Sequence, residues 1–271
     1  MLNPEVGGEE QSSPPFRFDF TRAICTPEMA RHAISEALKR GLPEVKACKA
    51  HNLRMAIVAG GPSVEDTVGE IKGYIAAVNK AHDWLIEKGI VPQACGLLDP
   101  VPWMAHYVHP HKDVTYFVAS QCHGLLFDKL KGHKVVLWHA GQGEQIRVED
   151  IVPPRTVLIP GGTSMAMRWL DLGYFLGFRA FDFHGFDSSH RKGGKHHAYE
   201  FRQDDDLPTQ EIDGYVTWPG WLMQINDFFL RMERFTRDEE MDPIEVRLHG
   251  DGLLQHLWKQ KTGSLVYRTK S

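Results

Sequence analysis

Short apolar runs alternate with amphipathic segments along most of the chain. The runs are typical of strands buried on both faces of a sheet, and they occupy residues 55–59, 74–78, 96–98, 115–119 and 181–184. Between them, apolar residues recur at helical spacing, and glycine ends several of these segments. Strand–helix alternation with short connections predicts an α/β fold, with a mostly parallel sheet and helices on both faces.

The two ends of the chain depart from this repeat. A polar, Pro/Gly/Ser-rich start leads into a predicted amphipathic helix from Pro27 to about Gly41. Near the other end we predict one long helix at residues 219–240, then a last strand at 244–248 and a final helix. We therefore expect three units: an N-terminal tail and helix at residues 1–50, a core at 51–200, and a C-terminal helical cap with a final strand and helix at 201–271.

Composition is that of an ordinary globular protein. The 271 residues are 42% hydrophobic and 24% charged, with a formal net charge of −4. This balance lacks the basic footprint of a nucleic-acid or acidic-membrane binder, and no apolar run approaches the roughly 20 residues that span a bilayer. The four cysteines are spaced singly, which favours reduced thiols. We expect a cytoplasmic protein with neither nucleic acid nor membrane as a partner; the oligomeric state stays open.

The strongest chemical signal is the turn Gly60-Gly61-Pro62-Ser63, directly after the first apolar run. Two glycines allow a ligand to approach the backbone closely, and Pro62 suits the first turn of a helix. Ser63 could cap that helix or donate its hydroxyl to a phosphate. Because a helix N-terminus with free N–H groups attracts anions, we expect phosphate binding here. A purely structural turn is the alternative, since the sequence is neither GxGxxG nor a Walker loop.

Polar side chains fall near the ends of the later strands, where parallel sheets bind ligands. They are Asn79, Asp99, Ser120 and His139. A second glycine-plus-hydroxyl turn precedes a long helical segment and could present N–H groups to another part of the same ligand. It consists of Gly161, Gly162, Thr163 and Ser164. A capping or turn role is the alternative for each of these residues.

A polar loop rich in histidine and lysine, residues 188–199, follows Asp187. We predict a mobile cationic lid over an anionic substrate; a solvated loop is the alternative. Metal binding by His190, His196 and His197 is a further alternative, but their spacing matches no established zinc pattern.

An ordered set of segments resembles the 6-hydroxymethylpterin diphosphokinase MptE-like family. The set includes GGPSV, KAHDWLIEKGIVPQACGLLDP, VASQCH, PGGTSMAMRWLDLGYFLGFRAFDFHGFDSS with HAYE, and HGDGLL, within about residues 53–254. The resemblance implies a Rossmann-like nucleotide-binding core. It also implies transfer of diphosphate from ATP to a hydroxymethyl-dihydropterin with Mg²⁺, as in archaeal members. The wider clan includes bacterial sialyltransferases and flagellin nonulosonate transferases, which use CMP-activated sugars. Their turn is usually GxGPS, and this chain has Ala59 in place of the leading glycine.

Under the diphosphokinase hypothesis, positioning and charge neutralisation do most of the chemistry. The predicted phosphate cradle is Gly60, Gly61 and Ser63, with Pro62 between them. The predicted Mg²⁺ ligands are the strand-end carboxylates of Asp99 and Asp187. The side chain predicted to neutralise the leaving group is that of Lys192, Lys195 or His197.

Two further hypotheses remain. In a glycosyltransferase with a CMP-activated nonulosonate donor, the same cradle would hold CMP, while Asn79 and the GGTS turn would hold base and ribose. His197 would then act as base on the acceptor hydroxyl or as acid to the leaving phosphate. A nucleotide-binding module without catalysis is the third hypothesis.

Overall fold

The structure, a computed structural model, describes residues 26–141, 147–162, 164–191, 194–199 and 208–270. The strands are β1 (Arg54–Val58), β2 (Tyr74–Val78), β3 (Ala94–Leu97), β4 (Thr115–Ala119), β5 (Lys134–Ala140), β6 (Leu158–Ile159), β7 (Ala180–His184), β8 (Gln210–Ile212), β9 (Tyr215–Thr217), β10 (Glu245–Leu248) and β11 (Val266–Arg268). The helices are α1 (Pro27–Lys39), α2 (Val64–Thr67), α3 (Ala81–Glu87), α4 (Met104–Tyr107), α5 (Gly124–Lys129), α6 (Met165–Phe175), α7 (Pro219–Arg237) and α8 (Leu253–Thr262).

Nine of the described strands form one sheet in the order β11-β10-β7-β1-β2-β3-β4-β5-β6. Every pairing in this sheet is parallel except that of β10 with β11. The predicted α/β, mostly parallel and Rossmann-like fold is therefore confirmed. From β1 the chain builds outward through β2 to β6, whereas β7 and β10 lie on the other side of β1. The direction of winding thus reverses between β1 and β7, and open α/β sheets bind ligands at such a point.

The apolar runs become central strands because both faces of the sheet are covered. Met55, Ala56, Ile57 and Val58 of β1 are fully buried; covering a side chain such as Ile57 stabilises the fold by about 1.5–3 kcal/mol. Helix α6 packs across β1, β2 and β3. Its Trp169 is also fully buried.

The structure differs from the sequence predictions at three places. The helix expected after the GGPS turn is only the four-residue α2, followed by a 3₁₀ turn at Val68–Glu70. The predicted last strand, β10, belongs to the central sheet beside β7. Strand β11 and the β8–β9 hairpin were not predicted; Asp213 and Gly214 connect the hairpin, both with positive φ, as in type I′ turns.

Helices α1, α7 and α8 form where the sequence predicts helices at the two ends of the chain. The N-terminal tail up to residue 25 lies outside the described residues, and the division into three units stays a prediction. Within the described ranges, the helices are too short or too polar to cross a bilayer.

Gly96 of β3 provides a direct test of this packing. An ideal Cβ there would lie 2.4 Å from both Met165 Cε and Trp169 Nε1. Because the tryptophan ring is fully buried, Gly96→Ala should lower the free energy of unfolding by about 1–3 kcal/mol. Gly69→Ala is the matched control, since a Cβ at Gly69 meets no atom within 4 Å. Equal urea midpoints for the two variants would contradict the packing described.

Candidate functional site

A cleft of about 220 Å³ opens at the carboxyl ends of β1, β2, β3 and β7, at the point where the winding reverses. Sequence-predicted residues from separate parts of the chain meet in its lining. They are Gly60, Gly61, Asn79, Asp99, Ser164, Asp187 and His197. Their convergence at the switch point makes this cleft the candidate active site.

Asn79 and Asp99 form the polar floor of the cleft. Asn79 Nδ2 donates to Asp99 Oδ2 at 3.1 Å, while the buried Asn79 Oδ1 has no donor among the described residues. Burial raises the pKa of the Asp99 carboxyl, and the hydrogen bond from Asn79 opposes that rise. Asn79 has φ +48° and Ser188, also in the lining, has φ +54°. Non-glycine residues in this left-handed region store strain, which is concentrated at functional sites.

His197 enters the cleft from the polar loop as a neutral imidazole. Burial lowers its pKa to about 3, and the neighbouring His196, His190 and Lys80 lower it further. The rings of His196 and His197 are 4.5 Å apart. A neutral His197 can accept a proton, and an anion bound beside it would raise its pKa.

The same loop covers Gly60. Ala198 N donates to Gly60 O at 2.9 Å, and an ideal Cβ on Gly60 would lie 2.1 Å from the Tyr199 hydroxyl oxygen. Tyr199 therefore occupies the space over Gly60 where the sequence predicts a phosphate. Tyr199 was not among the residues predicted for the site.

The described cations of the loop attach it to α2 and lie outside the cleft. Lys195 Nζ donates to Glu65 Oε1 at 2.8 Å, and Arg191 Nη2 donates to Asp66 Oδ2 at 2.7 Å. Lys195, predicted to bind phosphate, is thus paired with a carboxylate of α2 and does not line the cleft. Lys192 lies outside the described residues, and the mobility of the loop stays a prediction.

Within the GGPS turn, the protein itself accepts the N–H groups expected to bind an anion. Gly61 N donates to Gly185 O at 2.7 Å, and Ser63 N donates to Asp187 Oδ2 at 2.8 Å. The Ser63 hydroxyl donates to Asp187 Oδ1 at 2.5 Å. The Asp187 carboxylate therefore sits where the predicted phosphate would lie, and Pro62 and Ser63 face a second cavity.

Asp187 is buried where three turns meet. Burial raises the pKa of its carboxyl to about 6, outweighing the lowering effect of the hydrogen bonds from Ser63. The turn before α8 packs directly on this pair. An ideal Cβ would lie 2.0 Å from Ser63 Oγ if placed on Gly250, and 2.4 Å from Asp187 Cα if placed on Gly252. These two glycines permit an approach that no other residue allows.

The second glycine turn contributes Ser164 to the cleft. Its hydroxyl caps α6 by accepting from Met167 N at 3.5 Å. The two glycines of the turn pack against the protein's own side chains. Ideal Cβ atoms on Gly161 and Gly162 would lie 2.6 Å from Arg168 Cδ and 2.8 Å from Asp227 Oδ2. Thr163 lies outside the described residues.

Two other strand-end residues contact each other instead of the cleft. The buried Ser120 Oγ is 2.9 Å from His139 Nδ1, and neither residue is in the lining. Over the described ranges, no group of three or more histidine, cysteine, aspartate or glutamate side chains is placed to hold a metal ion.

Helix α7 completes the wall with residues that the sequence did not assign to a site. They are Trp221 and Gln224. Trp221 and the apolar residues that follow it in α7 recur at helical spacing, which is typical of the core-facing side of a helix. The position of Trp221 directly after Pro219 and Gly220, at the start of α7, is the available signal that it faces a cleft.

The family profile of 6-hydroxymethylpterin diphosphokinase MptE-like proteins matches residues 30–193. The chain belongs to this family. The MAf glycosyltransferase from Magnetospirillum magneticum AMB-1 is similar in structure, with a TM-score of 0.59 and 16% identity. The likeness covers 83% of this chain and only 37% of that one, and at this identity it concerns the fold alone. No protein of curated function matches this member of the MptE-like family.

The pH dependence of stability tests the environment of Asp187. With a folded-state pKa of about 6 against an ordinary 3.8, the native state holds a proton that the unfolded chain releases between these values. At higher pH the buried Asp187 is ionised, which lowers the free energy of unfolding. As pH falls, Asp187 takes up a proton and this destabilisation disappears. From about pH 7 to about pH 4, the wild type should gain stability relative to Asp187→Asn in urea unfolding. If the free energies of unfolding of the wild type and of Asp187→Asn changed with pH in parallel, this account would be contradicted.

Proposed function

We propose that this MptE-like protein is a nucleotide-dependent transferase that moves diphosphate from ATP to a hydroxymethyl acceptor with Mg²⁺. Family membership and the shared fold support a transferase. The observation that carries the finer assignment is the desolvated Asp99 carboxylate on the floor of the switch-point cleft, held on one oxygen by Asn79. The proposed partners of the protein are a small-molecule nucleotide and a small-molecule acceptor.

The carboxylate of Asp99 has an oxygen available to bind Mg²⁺, whereas the carboxylate of Asp187 does not. Mg²⁺ commonly binds through one or two carboxylates, several waters and substrate phosphates. Asp99 has one oxygen engaged by Asn79, which leaves the other for the ion, whereas both oxygens of Asp187 already accept from Ser63. Bound Mg²⁺ would neutralise phosphate oxygens, and its charge would offset the burial of Asp99.

The remaining lining suits a nucleotide. The buried Asn79 Oδ1 lacks a donor among the described residues and would accept from an amino group of the base or a ribose hydroxyl. The N-terminus of α6, capped by Ser164, favours negative charge. Because Tyr199 covers Gly60, nucleotide entry requires the 194–199 loop to move.

Diphosphate transfer then needs one proton acceptor. The acceptor oxygen attacks the β-phosphorus of ATP and forms the new P–O bond. The bond from that phosphorus to the α-phosphate oxygen breaks, and AMP leaves with the electron pair. Neutral His197, whose pKa is about 3 before an anion binds, accepts the hydroxyl proton. The negative charge of bound phosphates would raise that pKa and make His197 a stronger base.

A glycosyltransferase with a CMP-activated nonulosonate donor is the second candidate. A neutral His197 favours it as well, since such a transfer needs a base for the acceptor hydroxyl and no metal. The MAf glycosyltransferase offers a fold precedent. Asn79 Oδ1 would accept from the amino group of cytosine as readily as from that of adenine.

Asp99→Asn distinguishes the two candidates. Under the diphosphokinase assignment, loss of the charge should lower AMP release from ATP with a 6-hydroxymethyl-dihydropterin and Mg²⁺ by about 100-fold or more. Asp128→Asn is the control, because Asp128 is exposed and pairs with Arg40. Full activity in Asp99→Asn would refute the metal assignment. CMP release from a CMP-activated sugar without Mg²⁺, and no AMP release, would favour the glycosyltransferase.

A further inference from the structure

The lining of the switch-point cleft, as far as the structure describes it, contains no lysine or arginine. It does contain the carboxylates of Asp99 and Asp187, which would repel the phosphates of a nucleotide. ATP carries more negative charge than one Mg²⁺ neutralises. Since Lys195 and Arg191 are paired with α2, a further cation for the phosphates has to come from residues that lie beside this lining.

Lys80 lies beside the cleft, at the turn from β2 into α3. It directly follows Asn79 of the cleft floor, where the chain leaves the strand in a left-handed conformation. The Lys80 side chain is half-buried. Its ammonium Nζ is 5.6 Å from the centre of the Tyr199 ring and 5.9 Å from the centre of the Tyr107 ring. Both distances are typical of cation–π contacts, so two aromatic rings hold the ammonium in place.

The charge of Lys80 already acts on the cleft. Burial and the neighbouring histidines lower the pKa of His197, and the ammonium of Lys80 lowers it further. Salt screens charges that are more than about 10 Å apart, so this effect indicates that the ammonium lies close to His197. Tyr199 connects the same ammonium to the predicted phosphate position, because its ring contacts Lys80 and its hydroxyl lies over Gly60.

Displacement of Tyr199 would open the cleft to the Lys80 ammonium. Nucleotide entry requires Tyr199 to leave Gly60, since its hydroxyl oxygen would lie 2.1 Å from an ideal Cβ there. The same movement takes one of the two rings away from Lys80. A charge-assisted hydrogen bond to a phosphate oxygen is stronger than the cation–π contact that is lost. The ammonium is therefore stabilised when a phosphate replaces the ring.

We propose that Lys80 is the phosphate-binding cation of the cleft, and that its ammonium exchanges the Tyr199 ring for a phosphate oxygen when the nucleotide enters. Without a nucleotide, Lys80 helps to hold Tyr199 over Gly60. With a nucleotide, it neutralises phosphate charge that Mg²⁺ on Asp99 leaves over. The assignment rests on the function proposed above, in which the nucleotide binds in the cleft.

The test compares each nucleotide with its nucleoside, which has the same base and ribose without phosphate. Lys80→Met removes the charge and keeps a long side chain, and Lys80→Gln is a second neutral variant in case the first does not fold. Lys88→Met is the matched control, because Lys88 lies at the other end of α3, 5.7 Å from the Trp84 ring and outside the cleft lining. Calorimetry measures binding of ATP with Mg²⁺, adenosine, CMP and cytidine to each protein. Circular dichroism verifies that each variant is folded.

The expected result is a loss that depends on phosphate. Lys80→Met should weaken ATP binding by about tenfold or more, because a charge-assisted hydrogen bond is removed. Adenosine should bind as well as to the wild type or slightly more tightly, since Tyr199 is held less firmly over Gly60. Lys88→Met should match the wild type for every ligand. Unchanged ATP binding in Lys80→Met, or an equal change for ATP and adenosine, would overturn the proposal and leave Lys80 only a role in holding Tyr199.

Failure of the proposed function gives a different result. A wild type that binds CMP and not ATP refutes the diphosphokinase assignment; Lys80 is still the phosphate-binding cation if Lys80→Met then weakens CMP binding and not cytidine binding. A wild type that binds ATP and releases AMP, without a selective loss in Lys80→Met, refutes the role of Lys80 alone. A wild type that binds neither nucleotide refutes both.

Discussion

The hydrogen bonds between Asp187 and Ser63 hold together the carboxyl edge of the sheet. The carboxylate accepts from both the amide and the hydroxyl of Ser63, and its backbone oxygen accepts from Leu254 N of α8. Burying a carboxylate is costly unless hydrogen bonds compensate, and here they do so only in part, since its pKa is raised to about 6. Replacing the side chain by an apolar one would leave the amide and the hydroxyl of Ser63 buried without an acceptor, at a cost of about 1–3 kcal/mol each.

This internal carboxylate determines where a ligand can bind. Because Asp187 fills the anion position of the GGPS turn, the space left at the switch point lies between Gly60, Asn79 and Asp99. The same residue divides the edge into two cavities of different charge. The cleft combines the N-terminus of α6 with neutral His197, whereas the second cavity has three carboxylates.

The sequence predicted the sheet well, since uninterrupted burial on both faces leaves apolar runs such as residues 55–59. It also predicted that Asn79 and Asp99 lie together, because parallel strands end at one edge. It did not predict that glycines serve contacts within the protein: Gly60 admits Tyr199, and Gly250 admits Ser63. A glycine in the sequence indicates that some group approaches the backbone closely, but it does not indicate whether that group is a ligand or a side chain of the protein. The β8–β9 hairpin was missed because its strands have three residues each.

The central claim is that the nucleotide binds in the switch-point cleft. A crystal structure with Mg²⁺ and a non-hydrolysable ATP analogue tests it most directly. The account predicts phosphates between Gly60 and the N-terminus of α6, Mg²⁺ on Asp99, and Tyr199 displaced from Gly60, with the Asp187–Ser63 hydrogen bonds intact. An analogue bound in the second cavity, or phosphates bonded to Ser63 in place of Asp187, would contradict it.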